Sequence, residues 1–472
     1  MKYDYDLICV GLGPAGMAVS IMAAEMGLSV CAIEKHKVGG ECMNVGCIPS
    51  KALLRMAQTR QAARLFEAME LEPAQLPGVR APFARIRAHL QYINDKKTMG
   101  MFAKVQLILG EGDAVFVDPH QVRVNERVFS ARRIFICTGT RPALPPIPGL
   151  DTVEGVLTNE NMFALDQVPE SLLIIGGGAI GTEMAQAFSR LGSRVALVHA
   201  DPHLIPAGDP DASDLLRQIF EEEGIQVLNG RCIKQITQAD GEIRIETQEG
   251  DELRGARLLV AAGRQPASAA LELANAGVKT NARGFIEVNR HLQTSCPHIY
   301  AVGDCNGHAL FSHAAMHQGM IALMNSMMPW PFRKDFRKYL VPWTVFSDPQ
   351  VSAAGKTEAM LKKEGIPFET VRINYGDYGA AIAENVPTGF LKAFVSASGK
   401  IHGVVIVGEG SGEMINEWAL AIQKGLRMHD ILFLQHSFPT MGFLTKRTSE
   451  SWMMNRMKSE RLKRLCQFFF RR

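Results

Sequence analysis

Tryptophan and tyrosine are scarce in this chain, four and seven in 472 residues, and no uninterrupted apolar run reaches the ~18 residues of a membrane-spanning helix. A spanning helix is therefore not expected, while attachment to a membrane surface stays open. Neither sign of charge is in excess: 51 Lys plus Arg against 48 Asp plus Glu leave +3, spread too evenly to signal nucleic-acid binding. Nine cysteines, an odd number in so long a chain, do not make a secreted disulfide scaffold. The opening MKYDYDLICVGLG enters a strand with no basic n-region, apolar h-region or small-residue cleavage site. No signal peptide is expected, and the expected compartment is the reducing cytoplasm.

At 47% hydrophobic and 21% charged, the chain can bury large cores, which excludes disorder, collagen and a coiled coil. Its length suggests about three domains at roughly 150 residues each. Forty-three glycines suit an α/β protein with several glycine-dependent turns better than a β-sandwich.

Those glycines fall into a pattern twice. DLICVGLGPAGMAVSIMAAEMGLSVCAIEK runs from an apolar strand into Gly11-x-Gly13-x-x-Gly16, through a helical stretch, to a second strand ending at Glu34. Gly11 permits the tight turn, Gly13 lets the backbone approach a pyrophosphate, and Gly16 lets helix and strand pack closely. The phosphate sits on the helix N-terminus, and Glu34 is placed to accept from both ribose hydroxyls. A lone GxGxxG can be a plain turn; strand, helix and terminal acid together make a dinucleotide site. SLLIIGGGAIGTEMAQAFSRLGSRVALVHAD repeats the unit with Gly176, Gly178 and Gly181. Two such folds imply two dinucleotides.

Between them, ARRIFICTGTRPALPPIPGL is a strand followed by Thr138-Gly139 and a proline-rich crossing, and ARLLVAAGRQPAS closes the second unit with Gly263-Arg264. HIYAVGDCNG sets Asp304 beyond a strand end, where a short acid meets a ribityl or ribose hydroxyl, unless it is an ordinary Gly-Asp turn. The expected domains are residues 1–150 (first dinucleotide fold), 151–275 (second), 276–340 (return to the first) and 341–472, an α+β domain with a basic tail.

The chemistry lies in VGGECMNVGCIPSKALL. Five residues of regular helix rise about 7.5 Å, beyond the roughly 7 Å that a disulfide tolerates between Cα atoms. A Cys42–Cys47 bond therefore needs an irregular turn, which Asn44 and Gly46 suit. Zinc is the rival, but no second CxxC or His pair completes four ligands, and no metal is expected. Pro49 is at an early helix position, and Lys51, one turn beyond Cys47, either lowers a thiolate pKa or is a surface lysine.

Over essentially its whole length the sequence resembles the FAD-dependent pyridine nucleotide-disulfide oxidoreductases, in particular dihydrolipoamide dehydrogenase and mercuric reductase. GGECMNVGCIPSKAL looks like their active-site segment, and the FAD fingerprint, CxxxxC, TG, second GxGxxG, AAGRQP and YAVGD follow in the family's order. The resemblance implies FAD in the first fold, NAD(P)H in the second and a homodimer. It assigns Cys42 to exchange with the acceptor and Cys47 to charge transfer with the flavin. It also pairs Lys51 with Glu183 near the flavin and sets Asp304 on the ribityl chain.

Departures narrow the expectation. Lipoamide dehydrogenases carry a catalytic His-Pro-Thr followed by a glutamate; here LQHSFPTMGFLTKR puts Phe438 and Phe443 in those places. His436 survives two positions upstream. Mercuric reductases carry a C-terminal cysteine pair, and this chain has only Cys466 there. At the end of the second βαβ unit, where an acid or a base sorts NADH from NADPH, stand His199 and then Asp201.

Three functions follow: a reductase of a disulfide, metal ion or other small-molecule or protein acceptor; a membrane-surface dehydrogenase feeding a quinone; or an interaction subunit holding FAD without turnover. A lipoamide dehydrogenase with a substitute base is a variant of the first. The second rests on SESWMMNRMKSERLKRLCQFFFRR, where apolar Trp452, Met453, Met454, Met457, Leu462, Leu465 and Phe468 to Phe470 alternate with Arg456, Lys458, Arg461, Lys463, Arg464, Arg471 and Arg472. Such a helix lies among headgroups, each cation contributing about 1 kcal/mol at an anionic surface. Its alternative is a helix packed on the C-terminal domain.

Overall fold

The apolar run Tyr5–Val10 forms the middle of a parallel sheet in the computed structural model, which describes residues 2–471. Met1, the side chain of Arg461 and Arg472, the last basic residue of the tail pattern, lie outside the described residues. Val30–Glu34 flanks the first strand on one side, with Gln106–Leu109 beyond it. Arg127–Ile136 flanks it on the other, followed by Ile299–Ala301. Successive side chains alternate between the sheet's faces. Leu7 and Cys9 enter one core with Val19 and Ala23 of the helix Pro14–Glu25 and Ala322 of the helix Ser312–Met327; Ile8 and Val10 enter the other with Ile108, Phe116 and Ile134. A strand buried on both faces reads in sequence as an unbroken apolar run.

A second parallel sheet holds Ser171–Ile175 between Arg194–His199 and Arg257–Val260. The two sheets use glycine identically. A Cβ on Gly16 would stand 1.9 Å from the Gly11 carbonyl oxygen, and one on Gly181 1.8 Å from that of Gly176. Pro14–Glu25 and Ala179–Leu191 therefore leave their turns at a separation only glycine permits. Thr140–Pro142 and Arg264–Pro266 form a short antiparallel ladder in the crossing segments. All this, save the strand-end residue His199, lies in one compact unit of residues 1–60, 77–198 and 231–339.

The other unit comprises residues 61–76, 199–230 and 340–472. Its five-stranded antiparallel sheet runs Trp343–Val345, Val351–Gly355, Ile401–Val407, Phe390–Val395, Glu369–Asn374. Ser411–Lys424 and Phe443–Met457 supply helical cover, and fully buried Trp418 donates its indole N–H to Thr445 Oγ1 at 3.2 Å. The fold class is thus α/β, two Rossmann-like folds with a C-terminal α+β domain. Trp452 and Met453 join that domain's core, so the first half of the tail packs; Leu465, Phe469 and Phe470 of the final helix, Glu460–Phe470, are exposed.

Candidate active site around Cys42 and Cys47

GGECMNVGC folds as a short helix Gly40–Asn44, a break at Val45 and Gly46, and a long helix Cys47–Gln61. Gly46 is needed for close approach and not for a left-handed φ: a Cβ there would meet the Glu41 carbonyl oxygen at 2.9 Å. Asn44 holds the break from the other side, its Nδ2 donating to the carbonyls of Val38 at 3.0 Å and Gly40 at 2.8 Å. Cys42 and Cys47 are half-buried free thiols.

Cys47 opens its helix, where unpaired N–H groups and the dipole favour an anion. Its Sγ lies 3.3 Å from Oγ of Ser312, itself the first residue of Ser312–Met327. Lys51 Nζ bonds both carboxylate oxygens of buried Glu183, at 2.9 and 2.8 Å. A hydrogen bond from Cys42, the Ser312 hydroxyl and the Lys51 charge outweigh burial and hold the Cys47 thiol down at about 6. As the donor of that bond, and desolvated too, Cys42 is pushed above the ordinary thiol range. One thiol of the pair is thus prepared as a thiolate and the other keeps its proton.

Two supports of this site are contacts that no local spacing announces. Ser312 is 265 residues from Cys47, and only the fold brings the helix start to the sulfur. Glu41 is ion-paired with Arg264, which also donates to Thr140 Oγ1 at 2.6 Å and to the Thr140 carbonyl at 3.1 Å. Burial raises the Glu41 carboxyl while Arg264 pulls it back. Gly263 keeps a left-handed φ of 140° beside an arginine committed to the cysteine loop.

The first fold fits a dinucleotide. Gly13 has one atom within reach of a would-be Cβ, Gly40 Cα at 4.0 Å, and Gly178 in the second fold has none, so both loops leave room for a phosphate. Glu34 accepts from the backbone N–H of Leu12 and of His36, each at 2.8 Å, and each oxygen retains a lone pair for a ribose hydroxyl. Thr138 Oγ1, beside Gly139 at φ 67°, is buried without a protein partner, which a ligand would satisfy. Asp304 accepts from Thr140 Oγ1 at 3.3 Å, its carboxyl raised by burial and drawn down by Arg264. In the second fold, Gly176 has φ 108° and Gly181 packs as described above.

His199 ends the strand Arg194–His199, with Asp201 3.5 Å from its Nε2, and burial lowers its pKa against the pull of Asp201. His436 has both ring nitrogens engaged, Nε2 with Glu417 at 2.9 Å and Nδ1 with the Leu434 carbonyl at 3.3 Å. Phe438 is 71% exposed and meets Phe443 edge-on at 5.2 Å. An apolar groove of about 260 Å³, lined by Ile48, Pro49, Ala52, Leu90 and Ile93 among others, runs beside the cysteine helix.

Comparison with known proteins gives the chain's relatives. The family described as pyridine nucleotide-disulphide oxidoreductase matches residues 5–319, and its dimerisation domain matches 341–447. A dihydrolipoyl dehydrogenase of Thermus scotoductus is 34% identical over 450 residues, 93% of this chain and 95% of the relative. A mercuric reductase of Acidithiobacillus ferrooxidans is 34% identical over 437 residues, 91% of this chain and 79% of the relative. The HOCl-induced flavoprotein disulfide reductase RclA from Escherichia coli has a TM-score of 0.84 at 27% identity, covering 95% of this chain and all of its own. Its Cu(II) complex has the same score and identity, covering 93% of this chain and 98% of its own.

Proposed function

We propose, for a chain that belongs to the pyridine nucleotide-disulphide oxidoreductase family, that NAD(P)H reduces the Cys42–Cys47 pair and that Cys42 hands the electrons to an acceptor other than dihydrolipoamide. The family uses FAD and NAD(P)H and carries a dimerisation domain, so the working enzyme is an FAD-loaded homodimer. We assign FAD to residues 1–150 and 276–340, nicotinamide to 151–275 and dimerisation to 341–472. When bound, FAD supplies the two-electron link between nicotinamide and sulfur.

The carrying observation is the asymmetric thiol pair. Reducing the disulfide breaks one S–S bond with two electrons. Cys47 remains a thiolate held by Ser312, Lys51 and its helix start, and Cys42 takes a proton. Lys51 keeps its cation at the sulfur because Glu183 fixes the ammonium. Against a disulfide acceptor, Cys42 sulfur attacks, one acceptor thiolate leaves, and Cys47 then displaces the second, restoring the S–S bond. Cys42 gives up its proton in the attack, and the departing acceptor thiolate takes it up.

Phe438 supports the exclusion of dihydrolipoamide. A solvent-facing phenyl ring moves no proton, and His436 is occupied on both nitrogens. A thiophilic metal ion is a second reading, supported by the Cu(II) complex of the structural relative. There, two Cu(II) ions would each take one electron as the dithiol closes to disulfide. The Asp201 carboxylate beside His199 would repel a 2′-phosphate, which supports NADH over NADPH.

The test is anaerobic titration of purified holoenzyme with NADH and NADPH, then turnover with small disulfides, Cu(II), a soluble quinone and dihydrolipoamide. The expected result is rapid NADH consumption with a disulfide or Cu(II), abolished in Cys42→Ser. A Cys42→Ser variant with undiminished disulfide turnover would sink the assignment.

A further inference from the structure

The two halves of the C-terminal tail behave differently. The first half is anchored at Trp452, although Met454 and Met457 are exposed: Trp452 is buried, its indole N–H donates to Glu369 at 2.9 Å, and Arg456 lies over the ring at 4.6 Å and pairs with the same glutamate. Beyond Ser459 the pattern changes. In Glu460–Phe470, Leu462, Leu465, Cys466 and Phe469 recur at i, i+3, i+4 and i+7, one face of a helix. Leu465 is 52% and Phe469 63% exposed, and Phe470 beside them is 93% exposed. The opposite face carries Lys463, Arg464 and Gln467 together with Glu460, which ion-pairs with Lys463 at 2.7 Å. The family's dimerisation domain ends at residue 447, so this helix extends past the shared fold.

We propose that Glu460–Phe470 is a peripheral anchor that lies in the headgroup region of an anionic lipid bilayer. Charge selects this occupant. Residues 456–472 hold seven Lys and Arg against one Glu, and the remainder of the chain is acidic on balance. A second copy's tail offers these cations no counter-charge, whereas anionic headgroups complement them while the Leu465–Phe469 stripe enters the acyl boundary. Length fixes the orientation: eleven residues rise roughly 16 Å, about half the hydrocarbon thickness. No helix among the described residues is long and apolar enough to cross. A homodimer presents two such helices, so a weak single contact becomes appreciable through avidity.

The experiment is flotation of full-length holoenzyme with vesicles of phosphatidylcholine alone or with about one third phosphatidylglycerol, at low and high salt. Binding is expected to the anionic vesicles only, weakened by salt. It should fall at least about tenfold in Leu465→Glu/Phe469→Glu and in Lys463→Glu/Arg464→Glu, and vanish when residues 459–472 are removed. These positions lie on an exposed helix outside the cysteine site, so NADH oxidation should be unchanged and reports intact folding. Absence of binding at low salt, equal binding to neutral vesicles, or binding that survives truncation overturns the proposal. So does truncation that splits the dimer in sedimentation velocity, since the helix would then be an interface between copies.

Discussion

Cys47 carries the sharpest demand on any single residue, because it must hold a charge while largely out of water. With a folded value of about 6, its thiolate persists above that pH and is lost as pH falls through it. In reduced holoenzyme, alkylation of Cys47 followed by peptide mass spectrometry should titrate near pH 6, with Cys42 silent until far higher. Lys51→Met should move the midpoint upward; a wild-type midpoint in the ordinary thiol range of ~8–9 would contradict the arrangement. Phe438 makes the opposite point, an inert group where acid-base chemistry is expected. Dihydrolipoamide oxidation should run about 10² to 10⁴ slower than turnover with a suitable acceptor. Phe438→His alone should recover little, since Phe443 offers no carboxylate to orient the ring. A rate equal to that of lipoamide dehydrogenases would mean a substitute base at work. The cysteine pair and the glycine turns were legible from local spacing, and the Lys51–Glu183 pair only through the family resemblance. Ser312 and the Glu41–Arg264 pair were not, because each contact joins segments more than two hundred residues apart.

At the scale of elements, the two βαβ units were legible because three requirements coincide within thirty residues: an apolar strand, a turn needing left-handed φ, and a helix start that tolerates no Cβ. The antiparallel sheet of the second unit is plainer in structure than in sequence. Its strands Phe390–Val395 and Ile401–Val407 are almost wholly buried, so the alternation that marks a half-exposed strand is missing. The paired glycines permit a selective test. Gly16→Ala and Gly181→Ala each force a methyl group against a carbonyl oxygen, an overpacking that costs about 1–3 kcal/mol if the helix shifts to relieve it. The first should lower FAD content, read as flavin absorbance per protein. The second should keep FAD and weaken reduction by NADH. The reverse pattern would mean that the two dinucleotides had been assigned to the wrong folds.

For the whole molecule, cysteine burial sorts nine thiols by fate, something their number alone could not do. Cys9, Cys31, Cys137 and Cys305 lie in the cores of the first unit, where burial lifts Cys31 and Cys305 to about 12. Such thiols are inert however oxidising the surroundings. Cys232 and Cys466 are exposed, while Cys296 is half-buried with its thiol on the Ala276 carbonyl at 2.9 Å. Cys42 and Cys47 alone combine access with a neighbouring thiol and a cation. Labelling native oxidised holoenzyme with a thiol-specific disulfide reagent should therefore modify Cys232 and Cys466 quickly and Cys296 slowly. Prior anaerobic reduction by NADH should add Cys42 and Cys47, and the four core thiols should react only after denaturation. Peptide mapping distinguishes the sets. Rapid labelling of a core cysteine would show that the first fold opens on the timescale of the reagent. No NADH-dependent gain at Cys42 and Cys47, in protein whose FAD is nonetheless reduced, would show that electrons stop before the sulfur pair and leave by another route.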